Sequence, residues 1–211
     1  MKIISFKSVD STQKYLKESI ASNKLETPVA IVADEQTNGV GSRNNSWIGL
    51  SGNLFFSFAI NISELPKDLK LESSSIYFSY LLKETLSEFN SALWLKWPND
   101  FYLENSKIGG AITNIVHDKI VCGIGINLVA SPNGYSALDI DISKEDMLNA
   151  FFEKLEKKIL WKQVFSKYEL EFRKSQKFYT HAKELRISLT DAVLQNDGSI
   201  LVNGERIYSL R

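Results

Sequence analysis

Cysteine and histidine are scarce in this 211-residue sequence, and their scarcity excludes several kinds of site. The one cysteine, Cys122, lies in an apolar stretch, which excludes a disulfide framework and makes the reducing cytoplasm the simplest expectation. The two histidines, His117 and His181, are far apart in sequence, so neither a zinc site nor a histidine-based triad is expected. A Mg²⁺ ion bound through oxygen atoms stays open.

The chain also lacks an excess of charge of either sign. Its 25 basic and 25 acidic residues give a formal net charge of zero, without a strong run of one sign. Because binding to a phosphate backbone needs a basic excess or patch, DNA is not expected as a partner. No apolar run is long enough to span a membrane, and the alternating stretch 1–7 does not look like a signal peptide, so no membrane association is expected.

The apolar periodicity predicts one well-buried core built from helices and strands. Helices are predicted after Asp10, which would cap the first one in a box with Gln13, over 72–89, and from Ser143 with Asp146 towards 172, with a break left open. Strands are predicted at 3–6, 28–36, from 53 onwards, 93–96, 101–103, 107–115 and 119–127. Residues 38–52 are rich in Gly, Ser and Asn, which predicts a long functional loop.

The C-terminal tail, 184–211, returns to strand-like alternation around two hairpin turns, Asn196-Asp197-Gly198 and Asn203-Gly204. A further turn is predicted at Asn133-Gly134. The tail is too short for its own core and is expected to pack on the main body, which predicts a main domain over 1–180 and a small β subdomain over 181–211. Adjacent strands between helices favour an α+β fold with a largely antiparallel sheet.

Three compact motifs follow one another in the middle of the chain: 96–100 (Lys-Trp-Pro-Asn-Asp), 107–112 (Lys-Ile-Gly-Gly-Ala-Ile) and 123–127 (Gly-Ile-Gly-Ile-Asn). Pro98 favours a turn at Asn99-Asp100, which leaves a carboxylate at a strand edge. In extended chains Lys107, Gly109 and Ala111 would share one face, as would Gly123, Gly125 and Asn127. Together they predict a nearly bare strand surface carrying a cation, a carboxylate and an amide, although each motif alone is as readily a bulge, a solvated lysine or a turn.

These motifs, in this order, resemble those of the biotin protein ligases over essentially the whole chain. The resemblance rests on Ser11-Thr12-Gln13, Gln36 with 39–43, Trp47 and the three central motifs, and the ending, 197–211, looks like a shortened form of the family's C-terminal SH3-like domain. It implies the family's class II synthetase-like catalytic fold, a mostly antiparallel mixed sheet with flanking helices. It further implies ligation in two steps that uses ATP, biotin and Mg²⁺. Biotin is first converted to biotinyl-5′-AMP and then transferred to one lysine of a biotin carboxyl carrier domain of a carboxylase; a homodimer is left open.

The resemblance also assigns roles to individual residues. The catalytic residues would be Lys107, Asp100 and Arg43, with Asp100 holding Mg²⁺ or accepting a proton, the metal role being slightly favoured. The biotin-binding residues would be Ser11, Thr12, Gln13, Gln36, Gly39, Val40, Gly41, Ser42, Trp47, Lys107 and Gly110. The nucleotide-binding residues would be Lys96, Trp97, Asn99, Gly125 and Asn127.

The sequence departs from the family pattern in three places. The family loop usually reads Gly-Arg-Gly-Arg-x-Gly-Arg, whereas 39–45 reads Gly-Val-Gly-Ser-Arg-Asn-Asn and keeps only Arg43. Since arginine clamps phosphate and carboxylate in a bidentate way, we expect this loop to retain the adenylate less securely. Gln13 stands where the family most often has asparagine, and the first motif begins at Ser11, so we expect no DNA-binding domain and no repressor role.

Three other readings stay open from the sequence. The nearest is a lipoate or octanoyl ligase, which shares this fold and chemistry. A second is a biotin or acyl-carrier binding protein that has lost catalysis with its loop arginines. The third is an α+β interaction module in which the motifs occur by accident.

Overall fold

A computed structural model describes residues 1–41, 46–49, 51–129, 136–182 and 185–208, with the backbone alone described for 46–49 and residue 182. The strands are β1 (Lys2–Val9), β2 (Val29–Val40), β3 (Ser46–Gly49), β4 (Leu54–Asn61), β5 (Trp94–Lys96), β6 (Asp100–Leu103), β7 (Ser106–Val116), β8 (Lys119–Ile126), β9 (Tyr179–Ala182), β10 (Leu185–Ser188), β11 (Val193–Leu194), β12 (Ile200–Val202) and β13 (Glu205–Ile207). The helices are α1 (Thr12–Ala21), α2 (Ser74–Glu88), α3 (Lys144–Glu156) and α4 (Trp161–Ser175), with short 3-10 turns at Ile62–Glu64 and Leu71–Ser73.

The centre of the fold is one mixed sheet with the strand order β1-β2-β4-β8-β7-β6-β5, and β3 pairs with β2 at its side. Among the described strand pairs of this sheet, β1–β2 is parallel and the others are antiparallel. The predicted α+β fold with a mostly antiparallel mixed sheet and flanking helices is therefore confirmed.

Helices cover both faces of this sheet, so its central strands are buried on both sides. Helix α1 packs on β2, β4, β7 and β8, while α2 lies on β5, β6 and β7 with α3 and α4 beside it. On the second face the ring centroids of Phe58 and Phe151 are 5.6 Å apart, and those of Phe58 and Phe78 are 5.1 Å apart. Burying one such side chain contributes about 1.5–3 kcal/mol, so this aromatic cluster fixes the sheet on which the site is built.

The first helix begins differently from the prediction. Its N-cap is Ser11, whose side chain accepts a hydrogen bond from the backbone N–H of Lys14, whereas Asp10 accepts from the backbone N–H of Ser11. Gln13 makes no capping box, because its side chain is turned inward to Asn114 and Val121. The predicted cap of α3 at Ser143 is confirmed.

The predicted loop over 38–52 is partly wrong. Strand β2 continues to Val40, and β3 pairs back on it with Gly39 opposite Trp47. A register shift between Gln36 and Gly39 marks a bulge in this hairpin, which explains why the alternation could not be followed through it. The composition indicated a loop, but pairing between β2 and β3 determines the backbone conformation of part of this segment.

The tail packs on the main body, as predicted. Strands β9 and β10 form a hairpin, and β11, β12 and β13 form a three-stranded antiparallel sheet. The turn at Asn203-Gly204 has positive φ at both residues, 50° and 80°, which suits a two-residue hairpin turn. The boundary at residue 180 stays a prediction, while the turn expected at Asn133-Gly134 lies outside the described residues.

No helix in the described part of the chain combines the length and apolar character that crossing a membrane requires.

Candidate active site

Two lysines and one aspartate form an ion-pair network where β5, β6 and β7 meet. The Nζ atom of Lys107 donates a hydrogen bond to Oδ1 of Asp100 at 2.5 Å, and Nζ of Lys96 donates to Oδ2 at 3.3 Å. The Lys96 side chain is only 8% exposed, whereas that of Lys107 is 41% exposed. Asp100 therefore joins a buried cation to one that a ligand can reach.

The ion pairs hold Asp100 in its charged form. Burial alone would raise the pKa of Asp100, but the ammonium groups of Lys107 and Lys96 together hold its pKa below the ordinary value. The two ammonium groups bring two positive charges to one carboxylate at this edge of the sheet. That charge suits an anionic ligand such as a carboxylate or phosphate.

A β-bulge aims Lys107 at this edge. The register between β6 and β7 shifts after the Phe101–Gly109 pair, so that Tyr102 lies opposite Lys107. The prediction that Lys107 shares a face with Gly109 and Ala111 is wrong, because the extra residue turns the lysine to the opposite face. Ala111 packs in the main core, and a Cβ at Gly109 would lie 2.5 Å from the carbonyl oxygen of Gly125.

Gly110 is the glycine beside Lys107. A Cβ at Gly110 would lie 3.4 Å from Oδ1 of Asp100 and 3.7 Å from Cε of Lys107. Its cross-strand partner in β8 is Gly125, which is half-buried. The bare backbone predicted for this surface is therefore present at the Gly110–Gly125 pair.

The surface over Gly123, in contrast, is covered. A Cβ there would lie 2.5 Å from Oε1 of Gln13 and 3.0 Å from Oγ of Ser57, so the expectation of an open floor at Gly123 is wrong. Gln13 is 4% exposed and donates through Nε2 to Oδ1 of Asn114 at 3.1 Å and to the carbonyl oxygen of Val121 at 3.2 Å. Its Oε1 is buried without a hydrogen-bond partner in the described structure.

A second polar group lies at the start of α1. Thr12 donates to Oε1 of Gln36 through its backbone N–H at 2.8 Å and through Oγ1 at 3.1 Å. Oγ of Ser57 donates to Oγ1 of Thr12 at 2.9 Å. Within the described residues the Nε2 group of Gln36 makes no hydrogen bond, so this network can still offer a donor to a small polar ligand.

Ser57 was missed by the sequence interpretation. It lies in β4 among Phe56, Phe58 and Ala59 and is fully buried. A hydroxyl in the middle of an apolar strand is a signal in itself, because a buried polar group needs a partner. Its partner on α1 could be found only once helix and sheet were brought together.

The residues predicted to bind nucleotide lie close to the lysines but differ in accessibility. Trp97 is fully buried, and its indole donates to the carbonyl oxygen of Gly198 at 2.8 Å. Asn99 is buried and exchanges hydrogen bonds with the backbone of Ala111. Nδ2 of Asn127 donates to the carbonyl oxygen of Ser136 at 3.3 Å. Their roles towards a nucleotide stay predictions, but the Trp97 side chain faces the core rather than the site.

Part of the predicted biotin loop cannot be placed. Ser42 and Arg43 lie outside the described residues, as does the side chain of Trp47. Gly39 is buried, Val40 is 40% exposed and Gly41 is half-buried at the end of β2. Their roles stay predictions.

The surroundings of Asp100 do not fit a magnesium ligand. Both of its oxygens already accept hydrogen bonds from ammonium groups, which would repel a divalent cation. Among the described residues no group of three or more His, Cys, Asp or Glu side chains could hold a metal ion. The Mg²⁺ role of Asp100 stays a prediction, and these contacts count against it.

Comparison with known proteins places this arrangement in a family. The model of the biotin/lipoate A/B protein ligase family matches residues 5–128, which include α1, the central sheet except for the start of β1, and both lysines. The chain belongs to this family. Within it, the recognised likeness to the biotin protein ligases is confirmed by a solved structure, the biotin acetyl coenzyme A carboxylase synthetase from Helicobacter pylori with bound biotinylated ATP. That chain is 42% identical, with 98% of this chain and 99% of that one covered and a TM-score of 0.95.

The chain is also similar to more distant relatives. The biotin protein ligase from Aquifex aeolicus, solved with biotin and ATP, is 24% identical, with 100% of this chain and 96% of that one covered and a TM-score of 0.77, which supports the fold alone. The bifunctional ligase/repressor BirA of Escherichia coli is 29% identical over 127 residues, which are 57% of this chain and 38% of that protein. The chain thus matches well under half of that longer relative.

Proposed function

We propose that the chain is a biotin protein ligase, which uses ATP to join biotin to one lysine of a biotin carboxyl carrier domain. The observation that carries the proposal is the Lys107–Asp100 pair, 2.5 Å long, beside the bare backbone of Gly110. The full-length similarity to the H. pylori enzyme supports the same reaction.

In the first step, an oxygen of the biotin carboxylate attacks the α-phosphorus of ATP, and the bond to pyrophosphate breaks. The difficulty is that two anions must approach each other. Lys107 is placed to compensate this charge, since its side chain is 41% exposed and its ammonium group is held by Asp100. Its contribution is electrostatic and positional.

Asp100 serves this step best as the group that holds Lys107. Its lowered pKa makes it a weak base, and both of its oxygens are already in use. Asp100 therefore orients the lysine, and Lys96 balances the charge from the buried side. This role fits the observed contacts of Asp100, whereas its roles as a Mg²⁺ ligand and as a proton acceptor stay predictions.

In the second step, the ε-amine of the carrier lysine attacks the acyl carbon of biotinyl-5′-AMP. An amide bond forms, the bond to AMP breaks, and the amine loses a proton. No nucleophile of the ligase is needed. The chain has only to hold the mixed anhydride in place until the carrier lysine arrives.

The polar network at the start of α1 favours biotin over lipoate. Hydrogen bonds join the hydroxyl groups of Thr12 and Ser57 to the side-chain amide of Gln36. Nε2 of Gln36, which makes no hydrogen bond within the described residues, suits the ureido carbonyl oxygen of biotin, whereas the dithiolane ring of lipoate offers no such acceptor. A cytoplasmic location and a homodimer stay predictions.

Biotin-dependent exchange of pyrophosphate into ATP tests the first step, with lipoate as the competing substrate. We expect exchange with biotin, little with lipoate, and a large loss in Lys107→Ala. Lys119→Ala is the matched control, because Lys119 also forms an ion pair, at 2.6 Å with Asp118, at the far end of β8. Exchange that is faster with lipoate, or full activity in Lys107→Ala, would contradict the proposal.

A further inference from the structure

A turn in the C-terminal tail is bound to the main body by three side chains. The turn spans 195–198, and its own closure comes from the backbone N–H of Gly198, which donates to the carbonyl oxygen of Gln195 at 2.7 Å. Ser73 donates to the carbonyl oxygen of Asp197 at 2.6 Å, Trp161 to that of Asn196 at 2.8 Å, and Trp97 to that of Gly198 at 2.8 Å.

One of these three contacts reaches the candidate active site. Trp97 is the second residue of the 96–100 motif, between the two charged residues Lys96 and Asp100. Its backbone N–H donates to Oγ of Ser175 at 3.0 Å, and its ring is fully buried. The indole therefore joins the tail turn to the turn that carries Asp100.

The tail turn itself is held in a fixed shape. Oδ1 of Asp197 accepts hydrogen bonds from the backbone N–H and the hydroxyl of Ser199 at 3.0 and 2.6 Å, and Oδ2 accepts from Arg206 at 2.8 Å. Gly198 has a φ of 75°, and a Cβ there would lie 2.6 Å from Cδ1 of Ile76. Because its own hydrogen bonds and close packing hold the turn, it can set the position of the Trp97 indole that donates to it.

We propose that Trp97 is a positioning residue, through which the tail turn 195–198 fixes Asp100 and hence Lys107 for adenylate formation. Because the Trp97 ring is buried against the tail turn, it would act through the backbone of the 96–100 turn. The inference rests on the proposed ligase function. It extends that function by giving the tail a part in the first chemical step.

The direct test is Trp97→Phe, with Trp161→Phe as the matched control. Both changes remove an indole N–H that donates at 2.8 Å to a carbonyl of the same tail turn, but only Trp97 lies in the motif with Asp100. We expect Trp97→Phe to lower kcat of biotin-dependent pyrophosphate exchange by about tenfold, the equivalent of one positioning hydrogen bond, with little change in the KM for biotin. Trp161→Phe should keep the parental kcat per folded enzyme.

A second variant keeps the test decisive if Trp97→Phe does not fold. Arg206→Gln removes a half-exposed side chain that fastens the turn from outside the core, so the fold should tolerate it. It should lower kcat by about threefold, and the double variant should be no slower than Trp97→Phe, because both changes cut the same connection.

The outcomes separate the two claims. Equal kcat values per folded enzyme for Trp97→Phe, Trp161→Phe and the parent, or a parental kcat in Arg206→Gln, would overturn the positioning role while leaving the ligase function intact. A parent protein that shows no biotin-dependent exchange would contradict the function itself, and the inference falls with it.

Discussion

Replacing Asp100 with asparagine tests whether one carboxylate holds both lysines. The change removes the negative charge but keeps the size of the side chain. Lys96, whose side chain is 8% exposed, would then lose its ion pair at 3.3 Å, and Lys107 would lose its ion pair at 2.5 Å. We expect both stability and adenylate formation to fall.

The size of the stability loss depends mainly on the ion pair between Asp100 and the buried Lys96. Removing one partner of a buried ion pair costs about 3–5 kcal/mol, and the exposure of Lys107 together with the Tyr102 ring, 5.4 Å from Nζ of Lys96, reduces this cost. We therefore expect Asp100→Asn to lower the free energy of unfolding by about 2–3 kcal/mol at neutral pH.

The pH dependence gives the sharper test. Because the pKa of Asp100 is lower in the folded than in the unfolded chain, its contribution is complete above the unfolded pKa and is lost as the pH falls through the folded pKa. Urea unfolding of parent and Asp100→Asn should therefore differ most near neutral pH and converge in acid. Asp118→Asn, which breaks an exposed pair with Lys119, should follow the parent at every pH. Equal stabilities at neutral pH, or a difference that persists unchanged in acid, would refute the reasoning.

Three further predictions follow from the floor of the site and from the loop. Gly123→Ala should lower the free energy of unfolding by about 1–3 kcal/mol, since the added methyl would meet Gln13, and adding the shorter Gln13→Asn should recover most of it in urea titrations. If the effects of the two substitutions on the free energy of unfolding simply added, the predicted contact between residues 123 and 13 would be contradicted. Ser57→Ala should weaken biotin binding in calorimetry by about tenfold with a smaller effect on ATP, because it removes one hydrogen bond to Thr12; unchanged affinity would remove Ser57 from the site. The arginine-poor loop 39–45 should release biotinyl-5′-AMP, seen as biotin on bystander lysines, whereas strict retention would count against a weakened grip.

The order of elements and the family could be read from the sequence because they depend on local signals. Alternation predicted the central strands, and the cap at Ser143 predicted the start of α3. The 96–100 motif predicted a turn between strands with a carboxylate at its end, where Asp100 lies.

Other features of the site could not be read in this way, since they depend on pairing between strands and packing between elements. A period of two placed Lys107 with Gly109, but a bulge opposite Tyr102 turned it towards Gly110. The same period left Gly123 open, yet α1 brings Gln13 over it. The residues of a single strand predict neither the bulge, which depends on pairing with β6, nor the position of α1.

Transfer of biotin to a carrier domain is the most direct test of the central claim. A purified biotin carboxyl carrier domain would be incubated with the chain, biotin and ATP, and its intact mass measured. The account predicts a gain of one biotinyl group on a single lysine, dependent on ATP and lost in Lys107→Ala. No gain with biotin, or the same gain without ATP, would contradict it.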